Sequence, residues 1–172
     1  GNAIIQPENA EGGELRGVEL EQRVDLGRIA DAGWMQGVSL WANQTVLDGE
    51  QTLVSGKEVP FSGEPDYLLR TGLDYTSPAS GLKVALSFSR NGERVEEDDN
   101  SRKVFDPENN LDLAVSYPLT RGASLRFEAT NLLNTEEDGD KKSFADDGSL
   151  KKVERRTVSV KRRVSLGLEW EL

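Results

Sequence analysis

Residues 157–172 read TVSVKRRVSLGLEWEL, and apolar and polar side chains alternate along most of this stretch. The side chains of a β-strand point alternately to the two faces of a sheet, so a period of two predicts one long strand with an apolar face and a polar face. Only Arg162 interrupts the apolar row. The members of that row are Val158, Val160, Val164, Leu166, Leu168, Trp170 and Leu172.

The same period of two recurs upstream, whereas helical periodicity is nearly absent. One example sets Leu111, Leu113 and Val115 against Asp112 and Ala114. We therefore predict an antiparallel all-β chain of about seven strands. They lie near residues 14–26, 34–47, 65–76, 81–92, 109–118, 122–133 and 152–172.

The predicted connections alternate between short and long. Short turns fall near residues 27–33, 76–81 and 118–121, and long polar loops near 47–64, 92–108 and 134–151. Transmembrane β-barrels have short turns at one end and long loops at the other, whereas a soluble sandwich has no reason to sort its loops by length. The pattern favours part of an up-and-down transmembrane β-barrel.

The composition limits the function. No run of the 172 residues approaches eighteen apolar positions, so any membrane crossing must use strands. The net charge of -10 argues against nucleic-acid binding, which needs a basic surface. The chain has no Cys and no His, which removes the usual catalytic nucleophile and base. We expect no enzyme activity, no cofactor and no metal site.

Three aromatic residues each close an apolar row: Tyr75, Tyr117 and Trp170. If the C-terminus is periplasmic, these three strands run in the same direction and place the rings at the inner membrane interface. An aromatic girdle is typical of that position. Chance and the general β-propensity of aromatic residues are the alternative explanation.

Two long loops carry runs of acidic residues. Such runs usually form solvated, mobile tips, and this is the interpretation we prefer. Binding of Ca²⁺ or Mg²⁺ is the alternative, because clustered carboxylates supply the oxygen ligands that these ions need. The residues are Glu96, Glu97, Asp98 and Asp99 in one loop and Glu136, Glu137, Asp138 and Asp140 in the other.

Several short motifs make the chain resemble the final part of a TonB-dependent outer-membrane receptor. They are Gly17-Val18-Glu19-Leu20-Glu21, Gly63-Glu64-Pro65 with Leu73-Asp74-Tyr75, Asn131-Leu132-Leu133-Asn134, and the alternating C-terminal strand. The resemblance covers the chain from about residue 14 to its end. It makes residues 2–11 the tail of an eighth strand and its loop.

The resemblance implies the last part of the wall of a larger, plugged barrel. It also implies residence in the outer membrane of a Gram-negative bacterium, with energy coupling to the TonB complex through a region that these residues do not contain. The other partners it implies are outer-membrane lipid, the remainder of the receptor including its plug, and the barrel assembly machinery. The residues matching the assembly signal are Val164, Leu166, Leu168, Trp170 and Leu172, although family members usually end in an aromatic residue rather than Leu.

In such a barrel the polar rows line the lumen. Candidate contacts for a ligand or the plug are Trp41, Arg70, Arg126 and Glu128, and the alternative for the charged ones is pairing across strands. The implied function is import of a scarce ligand: a siderophore, a corrinoid or an oligosaccharide. A different class of function stays open, namely a soluble β-domain with a compact core that binds a protein or glycan through Trp34, Trp41 and its loops.

Overall fold

The computed structural model describes residues 12–29, 32–120, 122–145 and 147–170, without the side chain of Trp34. No helix in this part of the chain is long and apolar enough to cross a membrane. Short helical turns cover Leu26–Ile29 (α1) and Gly33–Met35, and all other elements are strands. The strands are β1 (Gly12–Asp25), β2 (Val38–Thr52), β3 (Glu58–Pro60), β4 (Tyr67–Thr76), β5 (Lys83–Asn91), β6 (Arg94–Glu97), β7 (Ser101–Phe105), β8 (Glu108–Thr120), β9 (Ala123–Thr130), β10 (Glu136–Phe144), β11 (Leu150–Ser159) and β12 (Arg163–Trp170).

Seven of these strands form one antiparallel sheet in the order β1-β2-β4-β5-β8-β9-β12, with the short β3 beside β2. We call it the wall sheet. Each of these seven strands pairs with whichever of the seven comes next along the chain, which is the up-and-down topology of a barrel wall. The sheet is open between β1 and β12 in the described residues. The predicted fold class, part of an antiparallel β-barrel, is confirmed.

The strand register places apolar side chains from all seven strands on a single face. One cross-strand row runs through directly paired residues and contains nothing polar. We call this side the apolar face and the opposite side the polar face. The row consists of Val24, Leu40, Leu73, Leu86, Leu113, Ala129 and Val164.

Nothing within the described part of the chain covers the apolar face. Val18 and Leu166 are 73% and 69% exposed, and the buried hydrophobic residues in the described part are limited to Val59, Ala123 and Ala129. A soluble domain of this size needs a packed core. The compact core that the soluble-domain hypothesis requires is therefore not found in the described residues.

The other four strands, β11-β10-β7-β6, form a second antiparallel sheet, which we call the upper sheet. It continues the wall. Asn91 pairs with Glu108 in the wall sheet, and Arg94 pairs with Phe105 three residues further along each strand, so the register is unbroken. The residues of β6 and β7 therefore keep the same two faces as β5 and β8.

Two extra residues enter where β9 leads into β10. The pair Phe105–Gly139 is separated from the pair Leu113–Ala129 by a step of eight residues on one strand and a step of ten on the other. The extra residues lie in the Asn131–Asn134 turn, where both asparagines have positive φ (51° and 53°). Asn tolerates this left-handed conformation better than most residues, which explains the motif.

The side chain of Asn131 fastens this turn to the neighbouring strand. Its amide nitrogen donates hydrogen bonds to the carbonyl oxygens of Thr135 and Val160, and its oxygen accepts one from the Thr135 amide at 3.0 Å. The Arg162 guanidinium donates to the Leu132 carbonyl oxygen at 2.8 Å. These bonds replace the strand ladder at residues 160–162, so the strand predicted over 152–172 is divided into β11 and β12.

The segments expected to be long polar loops at 92–108 and 134–151 are instead largely strands of the upper sheet. The reason is charge pairing between strands. Lys103 lies 2.8 Å from Glu96, and Arg94 lies 3.1 Å from Glu137. Alternation of opposite charges stabilises a two-sided polar sheet in water, a pattern that apolar periodicity does not detect.

Candidate functional site: the polar face of the wall sheet

A row of polar residues crosses five strands in the middle of the polar face. The directly paired residues are Glu21, Asn43, Arg70, Ser89 and Asn110, from β1, β2, β4, β5 and β8. Asn43 is already engaged, because its amide donates to Glu19 at 2.8 Å and to Glu21 at 3.0 Å. The exposed Arg70 has no carboxylate within 4 Å in the part of the chain that the structure describes.

Trp41 lies one row nearer the short-turn end, on this same polar face. Its indole covers Gly72 of the adjacent strand: a Cβ at Gly72 would lie 2.6 Å from the Trp41 Cζ2 and 2.7 Å from the Leu86 carbonyl oxygen. Only glycine leaves room for the ring so close to the backbone. Trp41 is therefore in phase with the polar rows, and its half-buried ring lies near Arg70 in a neighbouring row.

The other two predicted contacts, Arg126 and Glu128, are bound to each other. Arg126 lies 2.6 Å from Glu128 and 3.0 Å from Glu169 of β12. A second pair, Arg23 with Asp74 at 3.4 Å, spans β1 and β4. The structure thus separates charged groups that are paired across strands from Arg70, which presents its charge to the space in front of the sheet.

Sequence reasoning missed a groove of about 390 Å³ on the polar face, where the wall sheet approaches the upper sheet. The Asn110 side-chain oxygen there is buried without a hydrogen-bond partner among the described residues. No single motif signals this groove, because it forms only when the outer ends of β5, β8, β9 and β12 come together. Its lining includes Ser89, Asn110, Thr130, Asn131, Lys161 and Arg163.

The predicted girdle residues lie on the apolar face. Tyr75, Tyr117 and Trp170 all lie near the end of their strands that carries the short connections, and the latter two are 45% and 66% exposed. Val164, Leu166 and Leu168 form the exposed apolar row of β12, while Leu172 lies outside the described residues. Whether these residues serve as a girdle and an assembly signal stays a prediction.

The acidic residues of the upper sheet mostly have basic partners. Glu97 is 13% exposed and contacts Lys57 at 2.8 Å and Arg102 at 3.4 Å, while Asp138 contacts Arg155 at 3.8 Å. In the described ranges, no three acidic side chains are grouped closely enough to hold a metal ion.

Asp98 closes the turn between β6 and β7. Burial raises the pKa of its carboxyl group, but hydrogen bonds from the Ser101 hydroxyl (2.7 Å) and the Asn100 amide (2.9 Å) have the larger combined effect. The net result is a pKa below the ordinary value of an aspartate. Asp98 thus stays ionised at neutral pH and acts as a structural acceptor within the turn.

Comparison with known proteins agrees with this architecture. A family model described as "TonB dependent receptor-like, beta-barrel" matches residues 1–132, which is more than half of the chain. Neither the curated proteins nor the solved structures that were compared gave a significant match. Members of this family are outer-membrane transport receptors for scarce ligands. On the family match, together with the two-faced antiparallel wall, the chain belongs to the TonB-dependent receptor-like β-barrel family.

Proposed function

We propose that this chain is a wall segment of an energy-coupled outer-membrane importer, with its apolar face toward lipid and its polar face toward the lumen. The observation that carries the proposal is the uncovered apolar face, which stays in register across seven strands. Burying such a surface in lipid removes the free-energy cost of exposing it to water. The family match supports the transport role.

Within this proposal, Trp41 and Arg70 are the side chains that meet the ligand or the plug. A half-buried indole offers an apolar surface, and a guanidinium without a nearby carboxylate offers charge-assisted hydrogen bonds. Arg126 and Glu128 have a different role, because they form an ion pair within β9 and the Arg126–Glu169 contact then links β9 to β12. The groove beside Asn110 adds hydroxyl and amide groups to the same face.

The proposal is tested by uptake in cells that depend on the receptor containing this chain. Arg70→Gln is expected to lower uptake at limiting ligand at least tenfold while the receptor remains in the outer membrane. The matched control is Arg16→Gln, which removes the same charge from the outer end of the apolar face. Equal loss of uptake in both variants would contradict a lumen contact for Arg70.

The ligand class follows from parallel growth tests on cells without the receptor. A ferric siderophore, a cobalt corrinoid and an oligosaccharide, each supplied as the limiting nutrient, distinguish the three ligand classes. Loss of growth on one of them, restored by the intact gene, identifies the cargo. Two results together would overturn the importer assignment. Cells without the receptor would grow normally on all three nutrients, and fractionation of cells that make the receptor would find no receptor in the outer membrane.

A further inference from the structure

The groove beside Asn110 opens on the polar face at the outer ends of β5, β8, β9 and β12. In the membrane placement proposed above, this is the end of the lumen from which cargo arrives. Paired strands fix its shape, because Ser89 pairs with Asn110 and Thr130 pairs with Arg163. Its volume of about 390 Å³ lies within the range of about 300–1,000 Å³ that is usual for small-molecule sites. The groove is therefore a preformed concave surface of the size that a ligand needs.

Short polar side chains in this groove keep unused hydrogen-bonding capacity. The side-chain amide of Asn131 is occupied by the turn that it fastens. By contrast, the Ser89 and Thr130 hydroxyl groups and the Asn91 side-chain amide have no hydrogen-bond partner within the described part of the chain. Hydroxyl and amide groups both donate and accept hydrogen bonds, so together they match a ligand that carries many hydroxyl groups.

Two cations and one carboxylate also line the groove, at opposite sides of it. Lys161 and Arg163 lie at the start of β12, whereas Glu108 lies on β8, opposite Asn91 of β5. Among the described residues, none of the three charged side chains has an oppositely charged group within 4 Å. A guanidinium binds a carboxylate through two parallel hydrogen bonds, and a carboxylate accepts hydrogen bonds from hydroxyl groups. The β12 side therefore suits an acidic group of a ligand, and the β8 side suits its hydroxyl groups.

This lining suits an oligosaccharide better than a ferric siderophore or a corrinoid. Catecholate siderophores present aromatic rings and several negative charges, and a corrinoid presents a broad, largely apolar ring. None of the described residues that line the groove is aromatic, and its two cations are accompanied by a carboxylate. Burying polar groups against a large apolar ring would leave them without hydrogen bonds, which is costly. The groove thus favours a ligand that is rich in hydroxyl groups and carries few charges.

Trp41 and Arg70 extend the polar surface beyond the groove. Arg70 of β4 pairs directly with Ser89 in the groove lining, and the Trp41 indole lies over Gly72 in the adjacent row. An indole offers a flat apolar face, against which the C–H face of a sugar ring packs. Five inter-strand spacings of about 4.8 Å separate β2 from β12, which gives roughly 24 Å along the sheet from Trp41 to Arg163. Only a ligand of several linked units can occupy this whole surface.

We propose that this surface, the groove together with Trp41 and Arg70, binds an oligosaccharide that contains acidic sugars. The proposal rests on the importer function proposed above and narrows its cargo to one chemical class. Lys161 and Arg163 bind the carboxylate of one sugar, and Arg70 binds that of another. The Trp41 ring lies under a sugar ring. The hydroxyl groups of the ligand bind Ser89, Asn91, Glu108 and Thr130.

The test measures saccharide binding by the receptor that contains this chain, purified in neutral detergent, with isothermal titration calorimetry. The probes are oligosaccharides of galacturonate, mannuronate and glucuronate, and the neutral form of each after reduction of its carboxyl groups. At least one acidic oligosaccharide is expected to bind at least tenfold more tightly than its neutral form. Absence of binding by all three acidic forms, equal binding of acidic and neutral forms, or tighter binding of ferric citrate would overturn the proposal.

The variant Lys161→Gln/Arg163→Gln is expected to weaken binding of the acidic oligosaccharide at least tenfold and binding of its neutral form less than twofold. The matched control is Lys141→Gln/Arg156→Gln, which removes the same charge from the side of the upper sheet that continues the apolar face. This control is expected to bind both forms within twofold of the unmodified receptor. An equal loss in the control contradicts the assignment. Heat-modifiable migration shows which variants are folded.

Variants of Trp41 carry the test if the double variant does not fold. Trp41→Ala is expected to weaken binding of the acidic and neutral forms alike at least fivefold, whereas Trp41→Phe keeps a ring and is expected to bind within threefold of the unmodified receptor. Unchanged binding in Trp41→Ala, or equal loss in both variants, would overturn the proposal.

Nutrient uptake is measured separately, so the two proposals can fail independently. Uptake of a ferric siderophore or a corrinoid without any binding of acidic oligosaccharides overturns this inference and leaves the importer proposal standing. Binding of an acidic oligosaccharide by a receptor that imports nothing confirms the site and overturns only the transport role.

Discussion

The wall sheet and the upper sheet are built from the same strands continued in register, yet they are stabilised differently. In the wall sheet, apolar residues such as Leu86 and Leu113 pair across strands on one face. In the upper sheet the equivalent positions carry Arg94, Glu96 and Lys103, and stability comes from cross-strand ion pairs. In the proposed membrane placement, a strand leaves lipid and enters water without changing its conformation, because its side chains change from apolar residues to paired charges.

The wall sheet and the upper sheet separate on one side only. The break falls at the Asn131–Asn134 turn and at residues 160–162, where side-chain bonds replace the ladder. On the β5–β8 side the register passes without a shift. The division between the sheets is thus local to one turn, and a few side chains maintain it.

The largest effect is expected from a charge on the apolar face of the wall sheet. Leu86→Arg places a guanidinium in the middle of the lipid-facing row and should destabilise the folded barrel by about 2–4 kcal/mol. Ser87→Arg is the matched control, because the next residue points to the lumen, and its effect should stay within about 0.5 kcal/mol. Urea unfolding in lipid bilayers measures both. Equal destabilisation would contradict the assignment of the faces.

A smaller effect is expected at the turn that divides the sheets. Asn131→Ala removes three side-chain hydrogen bonds and should destabilise the protein by about 2–3 kcal/mol. Asn134 also has a positive φ, and Asn134→Ala should destabilise the protein by only about 1 kcal/mol. Thermal unfolding followed by heat-modifiable migration compares the two. A result in which Asn134→Ala is the more damaging would show that backbone conformation, not the side-chain bonds, maintains the turn.

Removal of a charged side chain should destabilise the upper sheet, whereas the wall sheet does not depend on such charges. Glu97→Gln breaks the ion pairs with Lys57 and Arg102 and should lower the free energy of local opening of β6 and β7 by about 1–2 kcal/mol. Glu96→Gln loses one partner at a more exposed position, so about 0.5 kcal/mol is expected. Amide hydrogen exchange of residues 94–105 reports both values. Unchanged exchange in Glu97→Gln would show that backbone pairing alone holds these strands.

The smallest effect concerns the turn closed by Asp98. Because its pKa is lower in the folded turn than in the unfolded chain, the stabilisation is complete above the ordinary aspartate pKa and is lost as the pH falls through the folded value. We expect faster proteolysis at this turn in strong acid, with no change between pH 5 and 7. Asp98→Ala should be cleaved readily at neutral pH. Cleavage of the unmodified turn that is equally fast at pH 5 and in acid would contradict the role of Asp98.

Much of the wall sheet could be predicted from sequence because each of its strands carries its own apolar period. Leu111, Leu113 and Val115 identify a strand without any knowledge of neighbours, and the chain order then gives the pairing. The two-faced architecture needs only this local information.

The upper sheet and the groove beside Asn110 could not be predicted in the same way. The residues Glu96–Glu97 and the run Glu136–Asp140 are recognisable as strand segments only when Lys103, Arg94 and Arg155 are known to lie opposite them. The lining of the groove likewise comes from four strands separated by tens of residues. Neither feature has a local period, so only the tertiary register reveals them.

The central claim, that one face of the wall sheet contacts lipid and the other water, can be measured directly because the chain contains no cysteine. Single cysteines introduced along β8, at each residue from 111 to 117, carry a spin label in the bilayer-embedded receptor, and their collision rates with oxygen and with a water-soluble nickel complex are compared. The account predicts strict alternation, with labels at 111, 113, 115 and 117 accessible to oxygen and those at 112, 114 and 116 accessible to nickel. Nickel accessibility at every position, or no alternation, would contradict it.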